Sequence, residues 1–210
     1  PHNHDYLVDA RRTPSLRPRW KLKRRWKKLR ALYPAELERL LDVGCAKGFF
    51  VLEAAARPGC GRALGIDVHA PFLDAARAVG AHLGLAGARF AELRLHELAQ
   101  GIDAHGGPFQ TVLLVNAYHY LFCGSGLDER RYGSHAEIFA HLRRVTAERL
   151  LFSNRLSMDA CPRNVQARAL ELGIAAEYTE DAIRAAAGAH FRVEEHGRLG
   201  RIPLWRLTPR

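Results

Sequence analysis

The chain has 210 residues, of which 48% are hydrophobic, and this is enough for one domain with a complete core. No apolar run approaches the ~18 residues that span a bilayer, and we expect no signal peptide at the polar, basic N-terminus. The formal net charge is +10, but eleven of the 32 Lys and Arg residues lie between Arg11 and Arg30. The other residues comprise 21 basic and 22 acidic side chains, so the composition excludes a globular body with a broadly cationic, nucleic-acid-binding surface.

The basic segment is predicted to be an amphipathic helix in an N-terminal extension, residues 1–36, ahead of a domain that spans residues 37–210. In RWKLKRRWKKLRALYP, one helical face is apolar and the other faces are almost wholly Lys and Arg. The residues of the apolar face, at i, i+4, i+7 and i+11, are Leu22, Trp26, Leu29 and Tyr33.

Short apolar segments and helical segments alternate through the rest of the chain. Strands are predicted at residues 40–43, 63–68, 89–95, 111–115, 149–153, 191–197 and 203–207. Helices are predicted at residues 49–56, 71–83, 135–145 and 179–187. This alternation predicts an α/β protein with a doubly wound, mostly parallel seven-stranded sheet, preceded by the basic helical extension.

The stretch LLDVGCAKGFF, residues 40–50, contains an acidic residue and two glycines between a strand and a helix. Gly44 permits a sharp turn close to a ligand, and Gly48 permits close packing of the helix. The G-x-x-x-G spacing differs from the diphosphate-binding G-x-G-x-x-G, and Asp42 would attract a cation. Asp67 ends the next strand, 23 residues after Gly44, where a carboxylate can bind ribose hydroxyls. This pattern predicts a site for an adenosine ligand that carries an ammonium or sulfonium group.

These segments resemble the class I S-adenosylmethionine-dependent methyltransferases. LLDVGCAKG (40–48) resembles their first motif, ALGIDVHAPFLDAAR (63–77) their second, FQTVLLVNAYHYLF (109–122) their fourth, and RLLFSN (149–154) their fifth strand. The resemblance covers about residues 37–207. It implies a Rossmann-like methyltransferase fold, S-adenosyl-L-methionine as cofactor with S-adenosyl-L-homocysteine as product, and methyl transfer to O or N of a small or medium acceptor, which can be anionic.

The resemblance also implies which residues bind the cofactor. The first-motif loop would hold the methionine moiety, Asp67 the ribose, and Val68 and Phe72 the adenine. Near Leu95 the chain lacks the acid with which the family contacts the adenine amine, so the backbone, His96 or Glu97 would contact that edge. The expected cofactor-binding residues are Asp42, Gly44, Cys45, Ala46, Gly48, Asp67, Val68, Phe72, Leu95, Asn116 and Ala117.

His119 follows the fourth strand at the cofactor edge and is the candidate catalytic base or acceptor-orienting group, because histidine titrates near neutrality. The alternative is a histidine that packs, or binds a backbone carbonyl, near the pocket. Tyr118 and Tyr120 flank it as candidate substrate contacts, and Arg155 is a candidate for the acceptor pocket. His2, His4, His135 and His141 do not form a zinc-protease pattern, so no metal is expected.

Three functions of the basic helix remain open. It can be a lid that docks its apolar face on the domain and recruits an anionic substrate, which we favour. It can be an RNA-binding arm of residues 11–30, with Trp20 or Trp26 stacked on bases, or an interfacial helix on anionic lipid. The chain as a whole is therefore expected to methylate a small molecule, with a tRNA or rRNA methyltransferase and a non-catalytic, cofactor-binding scaffold as alternatives.

The cysteines provide an expectation about cellular location. Cys45, Cys60, Cys123 and Cys161 are scattered, and none belongs to a CxxC pair. This spacing disfavours a zinc site and a disulfide framework, and it predicts a reduced, cytoplasmic protein.

Overall fold

The computed structural model describes residues 6–9, 15–129 and 131–210, so the predictions for His2, His4, Arg11 and Arg12 lie outside the described residues. The strands are β1 (Tyr6–Asp9), β2 (Ser15–Pro18), β3 (Arg39–Val43), β4 (Arg62–Asp67), β5 (Ala88–Glu92), β6 (Phe109–Val115), β7 (Thr146–Ser153), β8 (Phe191–Leu199) and β9 (Ile202–Pro209). The α-helices are α1 (Trp20–Arg30), α2 (Phe49–Ala55), α3 (Ala70–His82), α4 (Leu95–Gln100), α5 (Tyr118–Cys123), α6 (His135–Val145), α7 (Arg163–Glu171) and α8 (Glu180–Gly188).

Within the described residues, seven strands form one sheet in the order β5-β4-β3-β6-β7-β9-β8. The strands from β5 to β7 are parallel, and β9 pairs antiparallel with both β7 and β8. The chain runs outward from β3 to β5 and then returns to place β6 on the other side of β3. The carboxyl ends of β3 and β6 therefore flank the point where the strand order reverses, which is where open α/β sheets bind ligands. The predicted doubly wound sheet is confirmed.

The sheet separates two apolar cores. Successive side chains of a strand point to opposite faces, so the neighbours Leu40 and Leu41 in β3 belong to different cores. One core lies under α4, α6 and α8, and the other lies under α1 and α2. This arrangement explains why the central strands are apolar on both faces.

Helices with a strong sequence signal occur where the sequence predicted them. The helix predicted at 135–145 has those bounds, and α8 begins after Thr179, whose hydroxyl accepts a hydrogen bond from the Ala182 N–H at 3.2 Å. The sequence did not predict α4, α5 or α7. The strand predicted to reach residue 95 ends at Glu92, because Leu95 begins α4, where the Glu97 carboxylate caps the Arg94 N–H at 2.7 Å.

The N-terminal segments pack against the domain. In α1, Leu22 and Leu29 are buried in the core that contains α2, and Trp26 lies edge-on against Phe49 with ring centroids 6.4 Å apart. The Tyr6 hydroxyl donates a hydrogen bond to the Lys47 carbonyl at 2.7 Å. In the described part of the chain, no helix combines the length and apolarity needed to cross a bilayer. The boundary between residues 36 and 37 stays a prediction.

Candidate active site

The loop after β3 makes a turn that requires glycine. Gly44 has φ +72°, and a Cβ there would lie 2.7 Å from the Cβ of Ala117. The Gly44 and Cys45 N–H groups both donate to the Ile66 carbonyl, at 2.9 and 3.0 Å. Gly48 also has φ +72°, and a Cβ there would collide with the Phe90 ring. The backbone of this loop therefore approaches the turn after β6 more closely than a side chain would allow.

Asp67 connects the loops that follow β3 and β4. Its carboxylate accepts hydrogen bonds from the Ala46 N–H at 2.8 Å and the His69 N–H at 3.0 Å. Ala46 has φ +47°, a left-handed conformation that is uncommon for a residue with a Cβ. A carboxylate offers about four lone-pair positions, so two remain for a ligand after these backbone bonds.

The turn after β6 is held by a buried amide that the sequence analysis missed. Asn154 accepts hydrogen bonds from the N–H groups of Ala117 and Tyr118 at 2.9 and 3.0 Å, and it donates to the Leu114 carbonyl at 2.7 Å. Asn116 begins this turn with φ +59°. The sequence did contain a signal for this role, an asparagine directly after the predicted fifth strand. Buried side-chain amides commonly form hydrogen bonds with the backbone of loops.

A cavity of about 610 Å³ lies between these loops, within the ~300–1,000 Å³ typical of small-molecule sites. The structure brings most of the predicted cofactor residues together around it, along with one of the predicted substrate residues. These lining residues are Gly44, Ala46, Asp67, Val68, Phe72, Leu95, Asn116, Ala117 and Tyr120.

Three predicted cofactor residues, Asp42, Cys45 and Gly48, do not line the cavity. Asp42 pairs with Gly65 in the neighbouring strand, and the Gly65 face contacts Cys45 and Val51 instead of the cavity. Burial, followed by the charge of Asp67, raises the pKa of Asp42 well above its usual value. This placement differs from the prediction of a charged Asp42 that attracts a cation, because burial disfavours the ionised form.

His119 also lies behind the cavity wall. Its side chain is fully buried, and neither ring nitrogen has a hydrogen-bond partner among the residues that the structure describes. Its ring packs against Tyr120 at 4.2 Å between centroids. Burial, followed by the charge of Arg155, lowers the pKa of His119 to about 3. The imidazole is therefore neutral near pH 7 and too weakly basic to favour the predicted role as a general base.

The predicted substrate residues are dispersed. Tyr118 is buried, with its hydroxyl 2.7 Å from Nδ1 of His135, and Tyr120 is partly exposed at the cavity. Trp26 packs on the domain and Trp20 is 66% exposed, so neither reaches the cavity wall. Arg155 donates a hydrogen bond from Nη1 to Oδ1 of Asn116, which places it next to the wall.

An ion pair holds the far wall of the cavity. The Arg94 guanidinium donates to both carboxylate oxygens of Asp128, at 2.8 and 3.1 Å. This brings residues 125–128 over the cavity, and Asp128 lines it beside Leu95 and His96. Near the position where the family has an acidic residue, this chain has Arg94. Arg94 binds Asp128, an acidic residue 34 positions later in the chain. Sequence spacing provides no signal for this long-range pair.

The described residues contain no group of three or more His, Cys, Asp or Glu side chains that could hold a metal ion. The four cysteines are free thiols, and Cys45, Cys123 and Cys161 are buried. Burial raises the pKa of Cys123 and of Cys161 to about 11, which keeps both thiols protonated near neutrality.

Comparison with known proteins now identifies the class of the fold and site. The family model described as a methyltransferase domain matches residues 40–147, just over half of the chain. The chain belongs to this family, and it is a class I S-adenosyl-L-methionine-dependent methyltransferase. This membership supports the enzyme that the sequence predicted over a non-catalytic, cofactor-binding scaffold.

Similar solved structures support the fold. Monomeric WbdD, a bifunctional kinase-methyltransferase, is 21% identical with a TM-score of 0.60, over 89% of this chain and 39% of WbdD. Magnesium protoporphyrin IX methyltransferase ChlM from Synechocystis PCC 6803, with bound S-adenosylmethionine, is 17% identical with a TM-score of 0.55, over 90% of this chain and 76% of ChlM. YcgJ from Bacillus subtilis is 15% identical with a TM-score of 0.54, over 81% of this chain and 68% of YcgJ. This chain thus spans about two fifths of the length of WbdD. No curated protein matches the sequence significantly.

Proposed function

We propose that the chain transfers the methyl group of S-adenosyl-L-methionine to an oxygen or nitrogen of a small or medium acceptor that carries an anionic group. The observation that carries this proposal is the single continuous cavity of about 610 Å³ between the loop after β3 and the turn after β6. Cofactor and acceptor would share this volume, which supports a small acceptor in preference to a folded macromolecule.

The cavity residues fit the cofactor. Asp67, with two lone-pair positions free, would accept hydrogen bonds from the ribose hydroxyls. The glycine turn at Gly44 would let the backbone approach the methionine portion, and Val68 and Phe72 would flank the adenine. When bound, the cofactor supplies an electrophilic methyl carbon attached to a positively charged sulfur.

The chain itself would contribute alignment and exclusion of water. Ala117, held by Asn154, and Asn116, held by Arg155, would keep the acceptor end of the cavity in one geometry. We assign His119 a positioning role behind Tyr120, because a pKa of about 3 makes it a poor proton acceptor. An acceptor atom that is already deprotonated needs no base.

Incubation with methyl-labelled S-adenosyl-L-methionine and a fractionated cell extract tests this function. Label is expected in small acidic molecules, with transfer reduced by Asp67→Asn and unchanged by Asp74→Asn, a substitution in the exposed part of α3. Label confined to RNA or lipid would overturn the small-acceptor proposal.

RNA methylation is a second candidate, favoured by the outer surface of α1. Trp20 is 66% exposed, and the Arg24 guanidinium lies 4.7 Å from its ring centroid. Six basic residues of α1 are exposed, namely Lys21, Lys23, Arg24, Lys27, Lys28 and Arg30. Exposed cations beside an aromatic ring suit single-stranded RNA, and the same surface suits anionic lipid. Salt-dependent binding of transfer RNA that is lost on Trp20→Ala together with Lys27→Gln would favour RNA.

A further inference from the structure

A second cavity, of about 490 Å³, lies near the amino ends of β4 and β5. Arg62, Arg89 and His105 line it, and none of its lining residues also lines the cavity of the candidate active site. Arg62 begins β4 and Asp67 ends it, so the two cavities are separated by the length of that strand, roughly 16 Å at ~3.3 Å per residue. The second cavity is therefore a separate feature of the molecule.

Strand register places three arginines on one face of the sheet beside this cavity. Arg39 in β3 and Arg62 in β4 are paired directly across the two strands. Leu64 is paired with Arg89 in β5, and residues two apart on a strand share a face, so Arg89 lies diagonally across from Arg62 on that face. Like charges at this spacing repel each other. The sheet therefore concentrates positive charge here.

Direct contacts bring the guanidinium groups of Arg39 and Arg62 together. Both donate a hydrogen bond to the His105 carbonyl, Arg39 from Nη2 at 3.5 Å. A Cβ on Gly106 would lie 2.9 Å from Nη1 of Arg62 and 3.7 Å from Nη2 of Arg39. Their guanidinium carbons lie 5.6 and 5.3 Å from the centroid of the Phe109 ring. These contacts hold both long side chains in place, so a ligand would not have to order them.

The three arginines have no counter-charge in the part of the chain that the structure describes. None of them forms an ion pair with a carboxylate there, whereas Arg206 on β9 pairs with Glu194 on β8 of the same sheet. Burial, followed by the charges of the other two arginines, lowers the pKa of Arg62. A bound anion would supply the missing negative charge.

We propose that this cavity is a second ligand site, separate from the methyl-transfer site, and that it binds the diphosphate group of a small molecule. Guanidinium groups present forked donors that match phosphoryl oxygens. The arginines come from three adjacent strands spaced ~4.8 Å apart, so their charge extends over about 10 Å and suits two linked phosphoryl groups. A concave volume of about 490 Å³ suits a small molecule in preference to a nucleic-acid strand.

The arginines would contribute in two different ways. Arg39 and Arg62 are built into the fold through the His105 carbonyl and the Phe109 ring, and each guanidinium has five N–H donors, so donors remain for an anion. Arg89 is exposed and makes no hydrogen bond or ion pair with the described residues. Loss of the Arg89 charge should therefore affect the ligand without disturbing the fold.

Calorimetric titration of the full chain with inorganic pyrophosphate, at constant ionic strength and saturating S-adenosyl-L-homocysteine, tests the site. One saturable equivalent is expected, with affinity weakened roughly tenfold by Arg89→Gln. The matched control is Arg192→Gln, an exposed arginine on β8, the edge strand at the opposite end of the sheet, and it should leave the affinity unchanged. S-adenosyl-L-homocysteine should bind all three proteins equally, because the methyl-transfer site is separate.

Thermal unfolding separates anion binding from a merely structural role. Pyrophosphate should raise the melting temperature of the unsubstituted chain and of Arg192→Gln more than that of Arg89→Gln. Arg62→Gln also removes the hydrogen bond to the His105 carbonyl, so Arg62→Lys is the better variant at that position. It retains the charge without the fork and should bind pyrophosphate more weakly than the unsubstituted chain does.

Two further probes identify the ligand. ADP in place of pyrophosphate distinguishes the sources, because tighter binding of ADP indicates an organic diphosphate and tighter binding of pyrophosphate a free one. Pyrophosphate affinity that is unchanged in Arg89→Gln and Arg62→Lys would overturn the site. An equal loss in Arg24→Gln would also overturn it, because the exposed cations of α1 would then account for the binding. Binding of a short single-stranded RNA that depends on Arg89, without binding of pyrophosphate, would contradict a small-molecule ligand.

Discussion

The two ends of the cavity are built differently. At the cofactor end, Ala46 and Asp67 are only 21 residues apart, and the site depends on backbone turns, one carboxylate and consecutive β-α units. At the acceptor end, Asn154 accepts hydrogen bonds from the Ala117 and Tyr118 N–H groups, which lie 37 and 36 residues earlier in the chain, and Arg155 donates to Asn116. A site made from neighbouring segments leaves a motif in the sequence, whereas a site made from distant side chains does not.

Substitution of the first glycine should give the largest effect on cofactor binding. Gly44→Ala places a Cβ 2.7 Å from Ala117 in a left-handed turn, so we expect a loss of about 3 kcal/mol in the free energy of unfolding and a roughly hundredfold loss of S-adenosyl-L-methionine affinity. Gly59→Ala is the control, because Gly59 has φ +82° but no atom near the new Cβ. Urea unfolding measures the stability of each variant, and calorimetry measures its affinity for S-adenosyl-L-methionine. Equal losses in Gly44→Ala and Gly59→Ala would contradict a tight contact between the loop and Ala117.

Truncation of a buried leucine in α1 should affect stability but spare the cofactor end. Leu29→Ala should lower the free energy of unfolding by about 2–5 kcal/mol, since Leu29 is fully buried, whereas Trp20→Ala should change it by less than ~0.5 kcal/mol. Cofactor affinity of the folded Leu29→Ala protein should stay within a few-fold. A loss below ~0.5 kcal/mol would mean that α1 is not docked in solution.

The buried amide behind the acceptor end should have an intermediate effect. Asn154→Ala leaves the Ala117 and Tyr118 N–H groups without their acceptor, so we expect a loss of about 1–3 kcal/mol in urea unfolding. Gln110→Ala removes an acceptor for the Glu38 N–H at the surface, and its effect should be below ~0.5 kcal/mol. Similar losses in the two variants would contradict the bracing role of Asn154.

The pH dependence of stability should give the smallest effect near neutrality and grow as the pH falls. The pKa of His119 is about 3 in the folded chain and ordinarily 6.5, so its contribution is present above pH 6.5 and is lost as pH falls toward 3. The slope from this residue is at most about 1.4 kcal/mol per pH unit. His119→Phe should flatten the profile between pH 6.5 and 4.5, while His82→Gln, at an exposed site, should not. A profile unaffected by His119→Phe would show that this histidine is not buried neutral.

The sequence predicted the elements whose signal is local. The apolar runs of β3, β4 and β6 and the capped helices α6 and α8 lie where periodicity and capping placed them. The six-residue helices α4 and α5 are too short to show a helical period, so only tertiary packing identifies them.

The same difference between local and long-range signals applies to the residues of the candidate site. Gly44 and Asp67 were predictable because their roles depend on backbone conformation and strand ends. The orientation of Asp42 was not predictable, because a strand side chain can face either side of the sheet. The burial of His119 was not predictable either, because a six-residue helix can turn a histidine toward the core.

Titration of S-adenosyl-L-methionine into the full chain, beside Asp67→Asn and the surface control Asp74→Asn, tests the central claim most directly. The account predicts one bound equivalent for the unsubstituted chain and for Asp74→Asn, and at least a roughly tenfold weaker association for Asp67→Asn, because a neutral amide is a poorer acceptor for two hydroxyls. No measurable binding to the unsubstituted chain, or an affinity unaffected by Asp67→Asn, would contradict it.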